Sequence, residues 1–133
     1  MKSNVIILFI LWILMGCKTS KNMIYYYYDG SGNMYKIENQ VLEYSLVSPE
    51  KSSSGIYSGG EPFQKKLTKE QYEKIVSPLE TAFQSIEEQT NQRMMMTGMV
   101  VFKRNNEKNS CVLLPEAISK QNIEVFLQQL KNQ

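Results

Sequence analysis

One stretch of this chain commits to a secondary structure on its residues alone. From Thr68 onward, Tyr72, Ile75, Val76, Leu79, Phe83 and Ile86 recur at the three-and-four spacing that lines one face of an α-helix. Thr68 and Gln71 have the spacing of a capping box, in which the hydroxyl and the amide satisfy two of the N–H groups left over at a helix start. Pro78 stands inside this pattern, and it removes one N–H and crowds the preceding turn. The apolar phase carries across it, so the spacing predicts one kinked helix; Ser77 capping a second helix, with Glu80 as its partner, is the alternative. Such a helix buries a single stripe and needs an apolar layer to receive it.

The remaining segments can supply that layer. Tyr35 and Ile37, then Leu42, Tyr44 and Leu46, alternate with polar residues, and Asn39-Gln40 between them suits a two-residue hairpin. "TGMVVFKR" and "SCVLLP" make a second hairpin around "NNEKN". "FQKKL" reads as a short strand or an extended approach to the helix, and the four tyrosines Tyr25 to Tyr28 read as a first strand in preference to an aromatic belt on a membrane. Ile123, Phe126, Leu127 and Leu130 mark a C-terminal helix that Ser119 could cap. The expected fold is α+β: a small antiparallel sheet of two hairpins, with the kinked central helix and the C-terminal helix on one face.

The first residues are of another kind. Lys2 precedes an apolar run from Val5 to Met15, too short for the roughly 20 residues a transmembrane helix needs and followed by the small residues of a secretory cleavage site. The run closes on "LMGC", Leu14 to Cys17, and here the chain resembles bacterial lipoprotein signal peptides, with Met15 a less usual occupant of its place. That resemblance implies diacylglycerol on the Cys17 sulfur, cleavage after Gly16 and acylation of the new amino terminus, which together make a stable membrane anchor. Lys18, in place of an aspartate, implies the outer membrane, and the lack of an acidic run after Cys17 leans toward its periplasmic face. The expected organisation is a signal peptide over 1–16, a tether over 17–24 and one domain over 25–133.

Cleavage would leave 117 residues with a side-chain charge of +1, against +2 for the whole chain. That near-neutral balance lacks the basic stripe of a nucleic-acid surface. With Cys17 lipidated, Cys111 has no partner and reads as a buried, inert thiol. Histidine is absent, which removes the commonest general base and zinc ligand, and no cofactor is expected. Ser48 to Lys51, "SPEK", fits the S-x-x-K pattern of serine acyl-transfer enzymes, but neither S-D-N nor K-T-G occurs here. "DGSGN" alternates oxygen-bearing side chains at Asp29, Ser31 and Asn33, yet Met34 and Gln40 stand where a calcium loop needs glycine and glutamate, so a tight turn is expected. Met94, Met96 and Met99 could offer thioethers to Cu(I), but alternation would put Met99 on the opposite face, so core or surface contact is expected and no metal site.

"SSSGIYSGGEP", residues 52 to 62, sets Ile56 and Tyr57 among small residues, which a pure linker would not. Ser54, Gly55, Ile56, Tyr57, Gly59 and Gly60 are the candidate binding residues, on a shaped loop tip or, equally, a surface hairpin packed on the domain edge. The order of sheet, Gly59-Gly60 loop, helix and second hairpin resembles small bacterial inhibitors of thermolysin-type metallopeptidases, a likeness that carries over no inhibitory residue. The expected function is a non-enzymatic, membrane-anchored module that binds another protein through this loop; the alternative is a structural or assembly subunit of an envelope complex.

Overall fold

The computed structural model describes residues 22–48, 50 and 59–133. Among these, seven strands form one antiparallel sheet: β1 (Met23–Tyr28), β2 (Met34–Glu38), β3 (Val41–Ser45), β4 (Phe63–Lys66), β5 (Gln89–Thr90), β6 (Gly98–Arg104) and β7 (Glu107–Leu113), in the spatial order β4-β3-β2-β1-β6-β7-β5. Helices α1 (Lys69–Gln84) and α2 (Ile118–Lys131) complete the α+β fold. The sheet is larger than two hairpins. The tyrosine strand β1 pairs with β2 on one side and β6 on the other, while β4 and β5 extend the two edges. β1 also begins at Met23, so the strand takes in two residues that the sequence assigns to the tether.

Alternation along β1 sorts the four tyrosines. Tyr25 and Tyr27 are fully buried under the helices, whereas Tyr26 and Tyr28 lie half-buried on the other face. Cross-strand register sets Tyr25 beside Ile37 and Phe102, and Tyr27 beside Tyr35 and Val100. These residues, with Leu42, Ile75, Leu79, Leu113, Ile123 and Leu127, make one core drawn from every part of the chain between β1 and α2. Asn39 and Gln40 both take positive φ, at 51° and 60°, the geometry a two-residue hairpin needs. The second hairpin turns on Asn105 and Asn106 alone, so Glu107, Lys108 and Asn109 belong to β7 instead of the turn.

α1 opens on the expected capping box. The Gln71 N–H donates to Thr68 Oγ1 at 3.1 Å, and the Thr68 N–H donates to Gln71 Oε1 at 2.9 Å. The helix runs unbroken past Pro78, with Ser77 inside it. It stops at Gln84, so Ile86 leaves the apolar stripe and is 76 % exposed, while Ala82 takes a place in the core. The chain turns at Ser85 into a short 3₁₀ turn, Ile86–Glu88, and that turn caps the other helix. α2 starts after Ala117, two residues earlier than a Ser119 cap requires. Glu88 supplies the cap from outside the helix: Ile118 and Ser119 donate their N–H groups to its carboxylate at 3.0 and 3.2 Å.

Candidate functional site

At the end of β1 remote from Met23, two loops lock together. Asp29 builds the first: its Oδ1 accepts the N–H groups of Ser31 and Asn33, and its Oδ2 accepts the Asn33 side-chain amide, each at 2.9 Å. Both carboxylate oxygens are thus spent on the turn, as the tight-turn reading of "DGSGN" expects. The second loop carries Met94, Met95 and Met96. Arg93 donates from Nη1 to the Thr97 carbonyl and from Nη2 to the Asp29 carbonyl, both at 2.8 Å, and Thr97 Oγ1 donates to the Met94 carbonyl at 2.6 Å. A side chain at Gly30 would place its Cβ 2.9 Å from Met96 Cα, so only glycine lets the two backbones approach this closely.

These ties hold three thioether side chains out of the fold. Met94, Met95 and Met96 are 52 %, 81 % and 62 % exposed. They lie in a turn ahead of β6, so strand alternation does not apply to Met94 and Met96; Met99 sits within β6, opposite Tyr28 and Val112. Methionine is flexible and polarizable, and exposed clusters of it form adaptable contact surfaces.

Between the methionine loop, the Asp29 turn and α2 runs a groove of about 600 Å³, lined by Met96, Val125, Asp29, Lys120, Glu124 and Gln128 among others. Lys120 and Glu124 in its lining are tied to each other and to the buried Tyr27. Tyr27 Oη donates to Glu124 Oε1 at 2.7 Å, and the buried Lys120 donates from Nζ to Glu124 Oε2 at 3.0 Å. Burial, and next the Glu124 carboxylate, raise the Tyr27 hydroxyl far above the ordinary tyrosine value, so it is a donor and no base. Gly98 makes room for that hydroxyl: a Cβ there would lie 2.7 Å from Tyr27 Oη. A matching bridge joins the other helix, where Tyr25 Oη donates to Glu80 Oε1 at 2.6 Å. Each inward tyrosine of β1 therefore ends on a glutamate, one per helix.

Of the residues singled out in the sequence, Cys17, Ser54, Gly55, Ile56 and Tyr57 lie outside the described residues, as does Lys51, the last member of the S-x-x-K pattern; Ser48 is exposed. Gly59 and Gly60 are described. The Gly59 carbonyl accepts the Tyr44 hydroxyl at 2.8 Å and Lys131 Nζ at 2.9 Å, and Gly60 has φ +83°. Cys111 is buried, its Sγ 3.8 Å from the Ala82 carbonyl, and burial pushes its thiol up to about 11, as an inert cysteine should be.

The sequence reading missed Arg93, Lys120 and Glu124. A signal for the last two was present: Lys120, Ile123, Glu124 and Leu127 share one helical stripe, so two charged residues sit on the face that the apolar spacing buries. Arg93 left none, because its partners are backbone carbonyls brought in by β1 and the start of β6. No protein-family model, no curated protein and no solved structure matches this chain.

Proposed function

We propose that the chain is a bacterial lipoprotein, held at the outer membrane through Cys17, whose domain binds another protein without catalysing a reaction. The observation that carries this reading is the pinned loop with three exposed methionines. A soluble surface gains nothing from fixing such apolar side chains outward, whereas a rigidly presented adaptable patch lowers the ordering cost of binding. The topology adds direction. Five residues separate Cys17 from Met23 and reach at most about 20 Å, and β1 then runs about 17 Å before the methionine loop. In an anchored protein the bilayer lies at the Met23 end, and the methionines sit at the other end of the strand, where a protein can cover them.

The test is a crosslinked pull-down from envelope membranes with wild-type protein, a variant carrying serine at 94, 95 and 96, and Tyr57→Ala. One partner lost with the methionine variant and kept with Tyr57→Ala is expected. Loss with Tyr57→Ala alone would return the interface to the Gly/Ser loop, and a partner set unchanged by both would sink a binding role for either. Radiolabelled palmitate should enter the wild type and not Cys17→Ser.

The second reading, a structural subunit of an envelope complex, draws on the other face of the sheet. Among the described residues no helix covers it, and Tyr26, Tyr28 and Val101 surround a charged strip in which Lys36 lies 2.7 Å from Glu38 and 3.7 Å from Glu43. Co-purification of several envelope proteins in fixed ratio would favour it.

A further inference from the structure

A second groove, of about 540 Å³, lies at the Met23 end of the sheet beneath the last turns of α1. Its apolar walls come from Met23, Phe83 and Phe102, and its polar groups include Arg104 and Glu80. Arg104 is the unusual member. Its Nε is buried and donates to no acceptor, while one terminal nitrogen reaches only the Met23 sulfur, 3.6 Å away, and the guanidinium lies 5.9 Å from the Phe102 ring. Among the described residues Arg104 forms no ion pair. The guanidinium of this lining residue has no carboxylate partner among them and presents a fork that a bound oxyanion matches, while its Nε stays closed off inside the fold. Glu80 already accepts the Tyr25 hydroxyl and its negative charge opposes a bound anion, which leaves Arg104 as the oxyanion anchor of the lining.

We propose that this groove binds a single-chain anionic amphiphile of the fatty-acid type, with its carboxylate on Arg104 and its hydrocarbon tail against Met23, Phe83 and Phe102. The volume falls within the range of about 300–1,000 Å³ usual for small-ligand sites, and such sites pair apolar walls with a few polar anchors. Supply of the ligand rests on the membrane-anchored reading, since the groove then opens within a short tether of the bilayer, where free acyl chains collect.

The probe is dodecanoate, titrated below its micelle concentration into the chain from residue 17 onward with Cys17→Ser, which retains every core residue. Saturable 1:1 binding is expected, weakened about tenfold or more by Arg104→Met and by replacing the ligand with dodecanol. Arg104→Lys should fall between, and Glu80→Gln should tighten binding by removing a like charge. Equal affinity for dodecanol, or binding unchanged in Arg104→Met variants that melt normally, would overturn the proposal. So would attachment to phosphatidylglycerol vesicles without uptake of dodecanoate, or preference for an apolar peptide C-terminus. Palmitate labelling of Cys17 is read separately, so failure of the groove leaves the anchor reading intact.

Discussion

The Tyr27 hydroxyl donates to the Glu124 carboxylate across 2.7 Å, and this one bond ties the central strand of the sheet to the last helix. Tyr27→Phe keeps the ring and removes the donor, leaving Glu124 to Lys120 alone. The expected loss is about 1–3 kcal/mol of unfolding free energy, measured by urea denaturation. Gly98→Ala should cost more than a surface substitution because its methyl would collide with the same hydroxyl. In the double variant the two losses should fall short of their sum; strict additivity would mean the hydroxyl and Gly98 do not interact.

Alkaline pH should unfold the protein earlier than its exposed tyrosines suggest. Burial and a glutamate partner raise both Tyr25 and Tyr27 above the ordinary value of 10.0. For a group raised in the folded state, the stability contribution is whole below the unfolded value and is lost as pH rises toward the folded one. Stability should therefore fall above about pH 10, and Tyr25 and Tyr27 at least should ionise only with unfolding, with burial also shifting Tyr72 upward. All eight tyrosines titrating together in the folded protein, followed by tyrosinate absorbance, would contradict this.

Acid should act on Glu88 first at the N-terminus of α2. Hydrogen bonding by Ser119, through side chain and backbone, and by the Ile118 N–H holds its carboxyl below the ordinary 4.5. Its contribution is present above that value and disappears as pH falls through the lowered one. Melting temperature should drop between about pH 6 and about pH 3, and Glu88→Gln should drop less over the same range. An equal drop in both would remove Glu88 from the acid response.

Cys111 should be silent toward thiol reagents in the native state. In a chain with Cys17→Ser it is the sole thiol, buried and raised to about 11, so a disulfide reagent near pH 8 should label about one equivalent only after denaturant is added. Rapid native labelling would show that the α1 and β7 packing around it opens readily.

Local signals carried much of this architecture. The Thr68–Gln71 capping box, the Asn39-Gln40 turn and the alternation of Tyr35, Ile37, Leu42 and Tyr44 each rest on neighbours in sequence, and each stands as read. What escaped was non-local. Nothing in Tyr25 to Tyr28 tells that this strand takes partners on both sides, one of them more than seventy residues away, so the two hairpins could not be seen to merge. Ser119 was misread for a similar reason: it has the right chemistry for a cap, but Glu88 arrives first from another segment. The methionine loop was visible as composition, while its outward display depends on Arg93 reaching the Asp29 carbonyl across the sheet.

The central place of β1 also bears on the order of events during synthesis. β1 meets β2 within a few residues, so its first pairing is local and can form early, but its other edge must wait for β6. Until Gly98 to Arg104 has emerged, a tyrosine-rich strand stands with a row of open backbone donors and acceptors, able to pair with another nascent copy. A chain of this design depends on a holding factor, or on speed, between the emergence of β1 and the closure of its last hairpin.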